Sequence, residues 1–136
     1  MPSGYSKTPL AKKLGIKENC NILLYNNPEN YFDLFSDLPN GIHLLTKIEP
    51  ESADFMHLFC MSFDELNSII ANYKNAMTKS AFMWISWPKA SSKIKTDLKR
   101  DIIREFLIKN GLVDVKVASV DEYWSGLKFV YRLKDR

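Results

Sequence analysis

The pattern of apolar and polar positions predicts six strands. Residues 81–85 contain no polar side chain, and Lys79 and Ser80 before them and Pro88 after them bound the run. An uninterrupted run of this length is typical of a central strand covered on both faces. Shorter apolar or alternating segments predict five more strands, at residues 21–25, 42–48, 55–61, 113–120 and 127–133.

Helices are predicted between several of these strands. Ser62 and Glu65 form a capping box, and apolar residues then recur at steps of three and four as far as Met77. Thr96 opens another helix that closes at residues 110–111, and we expect Asp97 to lie at the positive end of its dipole.

The N-terminal region predicts an arm that carries one short helix. Thr8 is the expected N-cap, Pro9 takes the first helical position and Gly15 follows the last turn. We therefore divide a single domain, residues 1–136, into an arm at 1–20 and an α/β core at 21–136.

Strands that alternate with helices predict a Rossmann-like α/β fold. We expect a mainly parallel sheet of five or six strands with a C-terminal antiparallel strand, and helices on both faces. The direction of the 42–48 strand stays open, because too few residues follow it for a crossover helix. Six residues are expected in the core: Leu23, Leu58, Phe82, Trp84, Ile85 and Val117.

Composition narrows the class of protein. The chain has 136 residues, 46% of them hydrophobic, and a net charge of +3 from 19 basic and 16 acidic residues. It lacks an apolar run long enough for a membrane helix and the apolar core of a signal peptide, so we expect a cytoplasmic protein that does not contact a membrane. Cys20 and Cys60 are expected to be reduced and buried.

The predicted architecture resembles that of class I S-adenosylmethionine (SAM)-dependent methyltransferases. Those enzymes carry a glycine-rich turn after the first strand, whereas residues 26–30 here (NNPEN) contain no glycine. Glu49 follows the second strand, where the resemblance implies a ribose-binding acid. If the chain binds SAM, the resemblance implies Asn26, Asn27 and Glu49 as cofactor contacts.

At the level of sequence the chain resembles a small family of uncharacterised bacterial proteins. The resemblance rests on SWPK at residues 86–89 and WSGLKFV at 124–130, together with residues 3–10, 13–16, 96–98 and 134–136. It implies no activity.

Two polar loops predict a ligand site at one end of the sheet. The loop after the 81–87 strand and the 121–126 hairpin should be neighbours, with Trp87 and Trp124 as apolar walls and Lys89 as the cation. The alternative is that Lys89 pairs with Asp121 or Glu122. The candidate ligand contacts are Ser86, Trp87, Lys89, Ser91, Ser92, Thr96, Asp121, Glu122, Trp124 and Ser125.

These residues favour a binding module over an enzyme. We expect a non-catalytic protein that binds a small anion or a protein partner on a degenerate methyltransferase-like scaffold, without a cofactor. The alternative is a SAM-dependent methyltransferase with an atypical cofactor loop. A nucleic-acid accessory protein is a further alternative, disfavoured because the charges of residues 97–109 neutralise one another at helical spacing. A Ser86–Lys89 nucleophile pair and metal binding by His43 or His57 are not expected.

Overall fold

The computed structural model describes residues 8–136 and forms one six-stranded sheet. Three α-helices, Leu10–Leu14 (α1), Phe63–Ala76 (α2) and Arg100–Lys109 (α3), pack on it. Residues 1–7 of the predicted arm, with part of the family resemblance, lie outside the described residues. The strands are Asn21–Tyr25 (β1), His43–Leu44 (β2), Ala53–Phe59 (β3), Met77–Pro88 (β4), Leu112–Ser119 (β5) and Trp124–Tyr131 (β6).

The strand order is β2-β1-β3-β4-β6-β5. The first four strands in this order are parallel, and β6 lies antiparallel between β4 and β5. This is the predicted mainly parallel α/β sheet with a C-terminal antiparallel strand. Of the predicted 42–48 strand, whose direction the sequence left open, only His43–Leu44 forms a strand, and it pairs parallel to β1.

Two apolar cores cover the two faces of the sheet. The larger lies under α2 and α3 and includes Leu66, Ile70, Ile103 and Leu107. The smaller lies under α1, where Ala11 and Leu14 pack with residues of β1, β3 and β4. Helices therefore lie on both faces, as predicted.

The serine half of the predicted capping box at the start of α2 is confirmed, and the glutamate half is shifted by one residue, from Ser62 to Met61. The Ser62 hydroxyl accepts from the Glu65 N–H at 3.2 Å, and Glu65 reaches back to the Met61 N–H at 2.7 Å. Asp97 does not lie at the start of the next helix, because α3 begins at Arg100. Its carboxylate instead accepts from the Phe63 N–H at 2.9 Å and so caps α2.

The short helix α1 is held by residues far from it in sequence. Asp37 accepts from the N–H groups of Ala11 and Lys12, while Pro9 occupies the N-cap position. Gly15 ends the helix at φ 89, a left-handed conformation that glycine adopts without strain. The Trp84 indole N–H donates to the Leu14 carbonyl oxygen at 2.7 Å, which fixes the end of α1 on β4.

The predicted core is confirmed at four of its six positions. Leu23, Leu58, Trp84 and Ile85 are buried, and Phe82 is partly buried against the smaller core. Val117 is wrongly predicted as core, since it is 52% exposed. It lies on the edge strand β5, where a side chain has a neighbouring strand on one side only.

Candidate functional site

The loops predicted to be neighbours do meet. Pro88 at the end of β4 pairs with Trp124 at the start of β6, and the Lys89 N–H donates to the Tyr123 carbonyl oxygen at 2.8 Å. The hairpin turn is shorter than the predicted 121–126 loop, because β6 already begins at Trp124.

The two tryptophans do not form the walls of one site. Opposed residues of a ladder share a face, and successive residues along a strand alternate between faces. Trp87 pairs with Ser125, whereas Trp124 pairs with Pro88, so the two indoles lie on opposite faces. Trp87 is buried in the larger core, and Trp124 packs edge-on against Phe59 with ring centroids 5.1 Å apart. The predicted pair of walls is therefore wrong.

Ser86 lies in a buried chain of polar side chains. Its hydroxyl is 2.7 Å from His57 Nε2, and His57 Nδ1 is 2.9 Å from the Tyr31 hydroxyl. All three residues are fully buried. Burial lowers the pKa of His57 to about 3, so the imidazole is neutral near pH 7. Ser86 thus serves the interior of the sheet instead of facing an accessible ligand.

The other hydroxyls of the 88–97 loop are mostly used locally. Ser92 donates to the Lys89 carbonyl oxygen at 2.6 Å, and Thr96 donates to the Met61 carbonyl oxygen at 2.6 Å. Ser91 is exposed. These bonds shape the loop and its contact with the start of α2.

The hairpin carboxylates do not pair with Lys89. Asp121 accepts from the N–H groups of Tyr123 and Trp124, which stabilises the turn. Glu122 is exposed. The Lys89 ammonium donates instead to the Ser119 hydroxyl at 2.6 Å.

Lys89 lies in a groove that distant parts of the chain complete. The groove has a volume of about 610 Å³ and runs along β5, where Val117 and Ala118 provide apolar surface. We call it the lysine groove. The lining residues are Thr8, Lys13, Lys89, Lys116, Val117, Ala118, Ser119 and Ser125.

Three ammonium groups converge in the lysine groove. Lys13 donates to the Ser119 carbonyl oxygen at 2.9 Å, Lys89 donates to the hydroxyl of the same residue, and Lys116 donates to the Lys13 carbonyl oxygen at 3.1 Å. Burial, and then the charges of Lys116 and Lys89, lower the pKa of Lys13. Within residues 8–136 the ion pairs join Arg100 to Asp101 and Arg104 to Asp114, so none of the three lysines pairs with a carboxylate there.

Sequence reasoning found Lys89 and Ser125 but missed Lys13, Lys116 and Ser119. Lys13 and Ser119 are 106 positions apart in the chain. The sequence of a strand does not show which distant residues pack beside its polar side chains. The contact between Lys13 and Ser119 forms only because α1 packs on the sheet.

The turn after β1 differs from a glycine-rich cofactor turn. Asn26 adopts φ 53, a conformation that favours glycine, and its side-chain amide donates to the Phe59 carbonyl oxygen at 3.2 Å. This hydrogen bond joins the carboxyl ends of β1 and β3. It places a side chain at the turn, where a glycine-rich cofactor turn has only backbone. As built, the turn does not fit SAM in the manner of a glycine-rich turn, although Asn27 is exposed. Glu49 is also exposed but lies near the other end of β1, because the Ser52 hydroxyl donates to the Glu49 carbonyl oxygen and the Ser52 carbonyl oxygen accepts from the Asn21 side chain.

Within residues 8–136, no group of three or more His, Cys, Asp or Glu side chains could hold a metal ion. In the same range, no helix is long and apolar enough to cross a membrane. Cys20 and Cys60 are free and buried, as expected.

Comparison with solved structures shows a methyltransferase-like fold. A SAM-dependent methyltransferase of Aquifex aeolicus superposes with a TM-score of 0.58 at 15% identity over 87% of this chain and 85% of that one. Fibrillarin of Aeropyrum pernix, solved with bound SAM, gives 0.58 at 14% identity over 89% and 73%. A tRNA methyltransferase of B. subtilis gives 0.60 at 12% identity over 98% and 69%.

No protein-family model matches the chain. The comparison with curated proteins also finds no match. The resemblance to a small bacterial family therefore stays a prediction. At identities of 10–15%, the solved structures show the fold alone.

Proposed function

We propose that this protein uses a methyltransferase-like scaffold to bind a small anionic ligand in the lysine groove. The observation that carries the proposal is the convergence of Lys13, Lys89 and Lys116 without a carboxylate partner within residues 8–136. Like charges held close together repel one another, and an anion between them removes that repulsion. The groove volume of about 610 Å³ lies within the ordinary range for small-molecule sites.

Inorganic phosphate, titrated by calorimetry and by thermal shift, tests this proposal. A ligand that binds only the folded state raises stability by an amount set by its concentration relative to its Kd. Lys89→Ala should weaken phosphate binding by about tenfold, as expected for loss of one charge-assisted hydrogen bond. Its effect on unfolding should be about 0.5–1.5 kcal/mol, the usual net contribution of one hydrogen bond, because the Lys89–Ser119 contact is only partly buried.

Lys95→Ala is the matched control for this experiment. Lys95 is an exposed lysine of the same loop that does not line the groove. The Lys95→Ala variant should bind phosphate as tightly as the unmodified protein does. Equal weakening by both substitutions would indicate an effect of net charge and would contradict a built site.

SAM-dependent methyl transfer is the second candidate function. The fold of the solved neighbours favours it, and Asn27 is exposed just after the carboxyl end of β1. It requires the 26–30 turn to release the bond between Asn26 and β3. Micromolar binding of SAM or its demethylated product, weakened by Asn27→Ala, would promote this candidate above the first.

A cytoplasmic location stays a prediction from the sequence. A protein partner also stays a prediction from the sequence.

A further inference from the structure

The positive charge of the lysine groove continues beyond it across the sheet. Lys116 on β5 pairs directly with Lys128 on β6. Side chains at opposed positions of an antiparallel pair are close neighbours, and like charges there are destabilising. The described structure therefore holds a repulsive pair on the face that α1 covers.

Lys13, Lys89, Lys116 and Lys128 form a row of lysines, and Lys128 also contacts an aromatic ring. Its ammonium lies 3.6 Å from the centroid of the Phe82 ring, and the Lys17 ammonium lies 5.7 Å from the same centroid. Burial, followed by the charges of Lys116 and Lys17, lowers the pKa of Lys128. Lys116 thus interacts with Lys13 on one side and with Lys128 on the other.

The row has one end at Lys89 and the other near Lys17. Glu18 and Asp54 line a cavity beside Lys17 and Phe82, so negative charge limits the row there. Within residues 8–136, none of Lys13, Lys89, Lys116 and Lys128 forms an ion pair with a carboxylate. Four positive charges in this row exceed the net charge of +3 of the whole chain.

We infer that the ligand is a linear oligophosphate, whose first phosphate lies among Lys13, Lys89 and Lys116 and whose next phosphates reach Lys128. This inference rests on the proposed anion site and specifies its ligand class. A single phosphate would satisfy the groove and leave the Lys116–Lys128 repulsion in place. A chain of phosphates places negative charge beside both lysines. The oligophosphate is a free chain or part of a nucleotide, and both share this chemistry.

A comparison of inorganic phosphate with tripolyphosphate tests the inference. The unmodified protein should bind tripolyphosphate at least about tenfold more tightly, since additional charge-assisted contacts form. Lys128→Gln should remove most of that advantage while leaving phosphate binding unchanged. Lys128→Arg, which keeps the charge, should preserve the advantage. Circular dichroism of each variant checks that it is folded.

Different failures separate this inference from the proposed function. Phosphate binding that depends on Lys89, with no advantage for tripolyphosphate, would overturn the oligophosphate inference and leave the anion site standing. Absence of binding by both probes would overturn the two together. Adenosine triphosphate binding more tightly than tripolyphosphate would identify a nucleotide as the source of the chain.

A single-stranded oligonucleotide provides the last arm of the experiment. Binding tighter than that of tripolyphosphate, with affinity that falls steeply as salt rises, would indicate a nucleic-acid surface. That result would overturn the small-ligand inference.

Discussion

The buried imidazole of His57 should make this protein unstable to mild acid. Burial lowers the pKa of His57 from 6.5 to about 3 in the folded state. Between these two values the unfolded chain binds a proton that the folded chain excludes. The free energy of unfolding is therefore fully retained above about pH 6.5 and falls as the pH falls toward the folded pKa. Integrated from about pH 7 to about pH 5, the loss is about 2 kcal/mol.

Urea unfolding at about pH 7 and about pH 5 measures this loss. Total stabilities of domains are about 5–15 kcal/mol, so a change of about 2 kcal/mol is readily resolved. His57→Gln removes the titrating group and should reduce the difference between the two pH values to a few tenths of a kcal/mol, although the variant is less stable at both. His43, the other histidine of the chain, is exposed, and His43→Gln should keep the full difference.

Two outcomes would refute the reasoning about His57. One is an unmodified protein whose stability does not change between the two pH values. The other is a His57→Gln variant with the same pH difference as the unmodified protein. If that variant does not fold, the imidazole proton signals of the unmodified protein provide the second measurement, because His57 should not titrate in this range.

Two further substitutions test local features of the fold. Glu65→Ala removes the carboxylate that accepts from the Tyr25 hydroxyl, at 2.7 Å, and from the Met61 N–H. The free energy of unfolding, measured in urea, should fall by about 1–3 kcal/mol. No change would mean that water replaces these two bonds. Gly15→Ala places a Cβ 2.7 Å from the Phe82 ring, at a backbone φ of 89 that alanine adopts only with strain. The melting temperature should therefore fall, and an unchanged value would contradict the assigned end of α1.

Local signals in the sequence predicted most of the fold. The apolar run at 81–85 corresponds to the middle of β4, and the capping box marks the start of α2. Both depend on neighbours within a few residues, so they are readable without knowledge of the fold. Asp97 shows the limit of such signals, because its carboxylate caps a helix that begins 34 positions earlier in the chain.

The prediction of the candidate site depended on which face of the sheet each side chain occupies. Local signals in the sequence do not determine this. A shift of one residue in pairing moves every side chain to the other face. The expected 121–126 loop left the register of β6 open, and the observed pairing of Trp124 with Pro88 puts Trp87 and Trp124 on opposite faces. Lys89 remained at the site because it follows β4 and its long side chain reaches the edge of the sheet.

The lysine groove exists because α1 covers a face of the sheet that has few other elements. Between β1 and β2 the chain forms only a single 3-10 turn, at Tyr31–Leu34, so α1 provides the helical cover on that side. The Trp84 bond to Leu14 fixes the end of the helix. Since Lys13 directly precedes Leu14, the contact that completes the core also positions an ammonium group at Ser119. A ligand shared by Lys13 and Lys89 would therefore link α1 to the end of β4, and its binding free energy would add to the stability of that side of the fold.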